Sequence, residues 1–264
     1  MSTDDSLNLR EELALAAQLV DLADVITMHH FQASGLVIET KPDRTEVTIA
    51  DRSTEQAIRD HLALHRCTHG VLGEEHGVTD ADARCRWIID PIDGTSNYVR
   101  GVPLWATLIG LEVDGEIVLG MVSAPALARR WWAARGLGAF ANGTQIHSSR
   151  ISELANASLS YSEGPWEGIG MRSGIDSLRR SVTKERAFGD FWQHMLVAEG
   201  AVDIAAEAIV SLWDLAAIKI IVEESGGRFT DLSGVARADG GCALSTNAIL
   251  HEQALTMLRG TPTQ

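Results

Sequence analysis

Apolar positions between Leu9 and Phe31 recur at helical spacing, with Leu15, Leu19, Leu22, Val25 and Ile26 among them. The pattern predicts a long amphipathic helix, ended by Gly35. A polar loop, Thr40-Lys41-Pro42-Asp43-Arg44-Thr45, leads to a second helix that starts near Asp51 and carries Ile58, Leu62 and Leu64. The period then changes. Strands are predicted at Gly70–Leu72, Arg86–Ile89, Trp105–Val113, Ile117–Ala124 and Arg130–Ala134. Asp114-Gly115 between two of them is a hairpin signal, because both residues tolerate positive φ. Gly136-Leu137-Gly138-Ala139-Phe140 and Asn142-Gly143 read as further turns. This half predicts two helices against a mostly antiparallel sheet.

Beyond about Ser148, strands and helices alternate. Strands are expected at Ala157–Tyr161, Val202–Ala206 and Cys242–Ser245. Helices are expected at Phe191–Glu199, stopped by Gly200, at Ser211–Ser225, capped by Gly226-Gly227, and at His251–Leu258. Gly164–Gly170 reads as a loop. The chain therefore divides into residues 1–147, an α+β half, and residues 148–264, an α/β half, joined in one compact unit.

Composition narrows the function. The chain has 264 residues, 45% hydrophobic and 22% charged, which is ordinary for a globular protein with a sizeable core. A net charge of −14 argues against nucleic acid as a partner, since that needs a basic footprint. No apolar run is long enough to span a membrane. Cys67, Cys85 and Cys242 have neither zinc spacing nor an even count, which suits a reducing cytoplasm. The polar, acidic start Met1–Asp5 does not read as a signal peptide.

Candidate chemistry concentrates in Trp87-Ile88-Ile89-Asp90-Pro91-Ile92-Asp93-Gly94-Thr95. A β-branched strand wants both faces buried, and carboxylates at its end are costly there unless paired or metal-bound. Pro91 stops the strand and stiffens the turn, so Asp90 and Asp93 can converge on one point. Two oxygen donors on a stiff turn suit Mg²⁺. Gly94-Thr95-Ser96-Asn97 follows, where free backbone N–H groups at a helix start attract phosphate. Glu74 ends another strand, after Val71-Leu72-Gly73, and Asp214 stands in the first turn of a helix. Asp51 reads as an N-cap of the second helix. His61 and His65, four apart, read as an exposed helix face. Of Trp131 and Trp132, on opposite faces of a strand, one is expected in the core and the other at a subunit contact.

With Gly73-Glu74-Glu75, the Asp90–Thr95 turn and Trp213-Asp214-Leu215-Ala216-Ala217 in order, the chain resembles the inositol monophosphatase superfamily of Mg²⁺-dependent phosphatases. Within it, Asn97–Trp105, Ser123–Leu127, Arg186–Phe191 and Ala198–Asp203 look most like the histidinol-phosphate phosphatases. The resemblance implies an α/β (α+β) layered sandwich of alternating helix and sheet layers, as a homodimer. It implies two or three Mg²⁺ per site, held by Glu74, Asp90, the Ile92 carbonyl, Asp93 and Asp214. Thr95 and Glu74 would orient the attacking water, and Asp51 would hold a metal-bound water. Gly94, Thr95 and Ser96 would bind phosphate. The substrate contacts would continue through Arg186, Gly189, Asp190, Glu207 and Asp214.

Two metals can clamp an in-line displacement of a phosphate monoester. No His or Cys stands beside these motifs as a covalent nucleophile, so direct attack by water is expected. Asp190 and Glu207 add negative charge near the leaving group. That disfavours a neutral polyol and favours the ammonium and imidazole of histidinol phosphate. Trp105, Trp166 and Phe191 are open candidates for stacking on the imidazole. An inositol, sugar or nucleotide phosphatase of the same superfamily is the alternative, with Arg186 a candidate basic contact. An RNA- or polymerase-associated binding protein on the same fold is the alternative from another class.

Overall fold

The first two helices form where the apolar spacing places them. The computed structural model describes residues 7–41, 45–162 and 164–260, so the Met1–Asp5 start and positions 42–44 of the polar loop lie outside it. Helix α1 (Leu9–His30) is capped by the Asn8 side chain, which accepts from the Arg10 N–H, and ends at Phe31 before Gly35 is reached. It buries Leu15, Leu19 and Ala23, whereas Val25 stands on the opposite side and is 71% exposed. A short hairpin, β1 (Ile38–Thr40) and β2 (Glu46–Thr48), flanks the polar loop and leads into α2 (Ile49–His65). Its N-cap is Thr48 and not Asp51. Asp51 is the third helical residue, and its carboxylate closes a capping box by accepting from the Thr48 N–H at 2.8 Å. Leu64, expected on the buried stripe, is 82% exposed.

The large sheet follows: β3 (Gly70–Gly73), β4 (Gly77–Thr79), β5 (Cys85–Asp93), then the short α3 (Thr95–Val99), β6 (Ala106–Val113), β7 (Glu116–Ala124), β8 (Arg129–Ala134), β9 (Gly138–Ala141) and β10 (Thr144–Gln145). Its order is β10-β9-β8-β7-β6-β5-β3-β4, antiparallel except where β3 runs parallel to β5. Asp114 and Gly115 both take positive φ, as the hairpin between β6 and β7 requires. Residues 138–141, read as a turn, are a strand, because Gly138 ends the reversal and β9 pairs with β8. Trp131 is buried, while Trp132 stacks on Phe140 at 5.8 Å between centroids.

The second half gives β11 (Ser158–Tyr161), α4 (Arg172–Ser181), β12 (Lys184–Arg186), α5 (Asp190–Ala198), β13 (Ile204–Glu207), α6 (Leu212–Glu224), β14 (Arg228–Thr230), β15 (Ala243–Thr246) and α7 (His251–Arg259). Its five strands lie in the order β12-β11-β13-β15-β14. Five layers result. α1 and α2 cover one face of the large sheet. α5 and α6 fill the space between the sheets. α4 and α7 cover the far face of the small sheet. One core cluster takes side chains from β6–β9, α5, α6, β14 and β15, so the two halves share it.

α6 approaches the large sheet closely for a specific reason. Gly110 and Gly120 are paired across β6 and β7. A Cβ at Gly120 would lie 2.3 Å from the Ala217 carbonyl oxygen, and one at Gly110 would lie 2.8 Å from Ala216 Cβ. Two glycines facing two alanines bring the start of α6, and Asp214 with it, to the ends of β3 and β5.

Candidate active site

Asp90 and Asp93 are three residues apart, and in a regular strand they would face opposite sides of the sheet. The pairing of β5 with β6 shows how they come to share one. Asp90 is opposite Leu108 and Asp93 opposite Ala106, so three steps on β5 match two on β6. The bulge holds one extra residue and restores a common face. The Thr107 hydroxyl donates to the Pro91 carbonyl at 2.8 Å, and the Ile92 N–H donates to Asp90 Oδ1 at 2.9 Å, which fixes the turn.

Asp214 arrives from the other side. It is the third residue of α6 and accepts from the N–H of the N-cap Ser211 at 2.8 Å. Asp90, Asp93 and Asp214 each offer an oxygen within 4.8 Å of the others. Burial, and then the neighbouring carboxylates, raise the Asp90 and Asp93 carboxyls well above their usual range. Burial also pushes Asp214 up to about 7. Crowded, buried carboxylates are a donor set suited to a hard divalent cation.

Glu74 stands at the end of β3, where Gly73 pairs with Ile89, so it lies beside Asp90 and lines the same cavity. Its carboxylate is ion-paired to Lys41 at 2.7 Å, and the same ammonium reaches Glu75 at 2.6 Å. Nothing near Lys41 in sequence announces this contact, because its partners are 33 and 34 residues away. Thr95 donates to the Ile92 carbonyl at 2.9 Å and lies 3.3 Å from Asp51 Oδ1. Asp51 is fully buried, and burial raises its carboxyl to about 6.

Glu74, Asp90, Asp93 and Asp214 line a cavity of about 720 Å³, with Ile92, Gly94, Thr95 and Ser96 also in its wall, whereas Asp51 and Lys41 are not in the wall. A second cavity of about 270 Å³ adjoins it through Asp93, Asp190 and Asp214. Phe191, Glu207 and Ile209 line only the second. Among the described residues, neither cavity has a His or Cys in its wall. Asp190 is the first residue of α5, after the N-cap Gly189, and has a positive φ of 48°. The strained backbone lets the Phe191 N–H donate to Asp93 at 2.6 Å, which ties α5 to the acid cluster. Burial, and then Glu207, raise the Asp190 carboxyl to about 6.

Not every expected contact comes together. Arg186 is exposed at the end of β12, and neither it nor Gly189 lines either cavity. β12 is the edge strand of the small sheet, so a motif contiguous in sequence is split between rim and floor. Trp105 and Trp166 are buried away from both walls, while Phe191 is in one. Two further residues carried no local signal. Asn97 donates to Asp190 at 3.3 Å. His194, fully buried behind the second cavity, sits 3.3 Å from Glu207 Oε2 and 2.7 Å from the Ser245 hydroxyl.

A carboxylate cluster at strand ends, beside a helix start in a layered α/β sandwich, defines a class of metal-dependent phosphatases. The chain belongs to the inositol monophosphatase family, whose model matches residues 8–261. A histidinol-phosphatase of Mycobacterium tuberculosis is 52% identical over 94% of this chain and 98% of its own length. One from Streptomyces coelicolor is 49% identical over 94% and 97%. Among solved structures, the extragenic suppressor protein suhB of Bartonella henselae superposes with a TM-score of 0.87 at 27% identity, covering 94% of this chain and 98% of that one.

Proposed function

We propose that the protein is a Mg²⁺-dependent phosphate monoester hydrolase that converts L-histidinol phosphate and water to L-histidinol and phosphate. The observation that carries this reading is the pair of adjoining cavities. One is walled by carboxylates suited to metal and by the start of α3; the other combines the carboxylates Asp93, Asp190, Glu207 and Asp214 with apolar Phe191, Ile209, Val210 and Ile218, and among the described residues has no cation in its wall. A phosphate fits the first beside divalent cations. A cationic alcohol fits the second, whose acids would repel an anion and attract a cation more strongly than a neutral polyol. The names of the relatives at 52% and 49% identity support the same substrate.

In this reading Glu74, Asp90, Asp93, Asp214 and the Ile92 carbonyl would hold two or three Mg²⁺. The bound metal supplies Lewis acidity and a water of lowered pKa. Thr95, its hydroxyl proton committed to the Ile92 carbonyl, presents a lone pair that orients the attacking water together with Glu74. Asp51 holds a water beside Thr95. Gly94, Thr95 and Ser96 turn backbone N–H groups to the phosphate. Water attacks phosphorus in line, the bond from phosphorus to the histidinol oxygen breaks, one proton of the attacking water ends on that oxygen, and the other stays on the phosphate. Asp190 and Glu207 bind the ammonium or imidazole of the leaving alcohol, with Phe191 beside the ring. A cytoplasmic homodimer belongs to the same reading, and light scattering in solution tests the dimer.

The test of function is phosphate release with Mg²⁺ from histidinol phosphate, inositol 1-phosphate, fructose 1,6-bisphosphate and an adenosine bisphosphate, with a chelator control. A preference of about a hundredfold in kcat/KM for histidinol phosphate is expected, since two charge-assisted contacts of about 1.5–3 kcal/mol each can supply it. Flat or inositol-preferring activity contradicts the substrate and keeps the metal chemistry. No hydrolysis of any of them contradicts the enzyme reading.

A further inference from the structure

α2 carries a second buried acid one turn beyond Asp51. Glu55 is fully buried, yet it lies on the helix that also carries Asp51, beside a site already crowded with carboxylates. An extra acid there increases repulsion, so its retention needs a reason. Its contacts supply one. Glu55 Oε2 accepts the Glu75 N–H at 2.7 Å, and Oε1 accepts the His76 N–H at 3.2 Å. Arg59 donates to Oε1 at 2.7 Å and also reaches the Gly77 carbonyl. The carboxylate presses against the Gly73 backbone so closely that a Cβ there would lie 2.0 Å from Oε1.

Glu74 therefore sits between two fixed points. Before it, Gly73 is in the sheet and packed on Glu55. After it, the Glu75 N–H is held by the same carboxylate, while the Glu74 N–H donates to the Ile89 carbonyl at 3.2 Å. We propose that Glu55 is a positioning residue that holds the Gly73–Gly77 turn so that the Glu74 carboxylate faces the cavity that Asp90 and Asp93 line. The inference rests on the reading of Glu74 as a metal ligand. α2 then serves the site twice, aiming Thr95 through Asp51 and Glu74 through Glu55. A carboxylate suits this task because it accepts two backbone N–H groups and a guanidinium at once, which an amide cannot.

The experiment measures Mg²⁺ affinity by titration calorimetry on Glu55→Gln, Arg59→Gln and Glu74→Gln, with kcat and KM determined at saturating Mg²⁺. Glu55→Gln is expected to weaken Mg²⁺ about tenfold or more, as loss of a ligand's supporting contact does. It should lower kcat and leave KM within about threefold. Arg59→Gln frees one arm of the carboxylate at a partly exposed position, and is expected to weaken Mg²⁺ about threefold. That variant decides alone if Glu55→Gln does not fold. Mg²⁺ affinity unchanged in the folded Glu55 or Arg59 variants, with Glu74→Gln impaired, overturns the positioning role. Full affinity in Glu74→Gln overturns the ligand reading beneath it.

Discussion

The two cavities that meet at Asp93, Asp190 and Asp214 are built by different means. The larger is assembled from backbone devices. A one-residue bulge on β5 aligns Asp90 with Asp93, and capping boxes at the starts of α2 and α6 aim Asp51 and Asp214. The smaller is assembled from distant pieces: the positive-φ start of α5, the end of β13 with Glu207, and the residues Ser162, Gly164 and Pro165. Rigid, locally encoded geometry suits a reaction whose atoms are the same for every phosphate monoester. A wall drawn from several segments suits selection, because it can change without disturbing the metal ligands.

The comparison breaks most visibly at the shared chemistry. Asp90→Asn removes a carboxylate from the larger cavity and is expected to lower kcat roughly a thousandfold or more on every substrate, histidinol phosphate and p-nitrophenyl phosphate alike. Steady-state rates on both check it. A loss confined to one substrate would place Asp90 in selection.

Gly120→Ala attacks the same cavity from a distance. The added methyl meets the Ala217 carbonyl and pushes α6 off the sheet, at a cost of about 3 kcal/mol by overpacking. Thermal melting should fall by several degrees, and the displaced Asp214 should weaken Mg²⁺ as well. An unchanged melt would mean that α6 is free to shift.

His251 tests the fold apart from either cavity. It is fully buried, with Thr230 and Thr246 hydroxyls 3.0 Å from its two ring nitrogens, and burial pushes it down to about 4. An unfolded histidine titrates near 6.5. The folded protein refuses a proton that the unfolded chain accepts, so this contribution is complete above about 6.5 and is lost as pH falls toward about 4. The loss reaches up to about 3 kcal/mol. Denaturant melts at pH 7 and pH 5 should differ in the parent and differ less in His251→Gln.

Asp190→Asn sharpens the contrast at the boundary. Because Asp190 faces both cavities, the loss in kcat/KM should be about ten- to a hundredfold on histidinol phosphate and only a few-fold on an aryl phosphate. Equal losses would make it a support for Asp93 and not a selector.

The same contrast governs what the chain discloses before folding. Asp90-Pro91-Ile92-Asp93-Gly94-Thr95 is legible because proline, glycine and a strand-end position each have a local physical meaning. Asp214 is legible because a helix start limits what it can do. Asp51 was nearly so: a carboxylate at the first turn was evident, but Thr48 took the N-cap. Lys41, Asn97 and His194 were not legible, since each acts on a partner at least 13 residues away in sequence. Arg186 shares a motif with Asp190 yet ends on an edge strand, because contiguity says nothing about which side of a sheet a residue leaves. α4 was hidden by the glycines before it, although Ile175 and Leu178 carry helical spacing. β4, β12 and β14 are three residues each and exist only through their neighbours in the sheets.

The most direct test of a division between reaction and selection is kcat/KM of Glu207→Gln at saturating Mg²⁺, on histidinol phosphate and on p-nitrophenyl phosphate. Glu207 lines the smaller cavity and is absent from the wall of the larger. A loss of about ten- to a hundredfold on histidinol phosphate, with the aryl phosphate within about twofold of the parent, is the predicted result. Parallel losses on both substrates would contradict it.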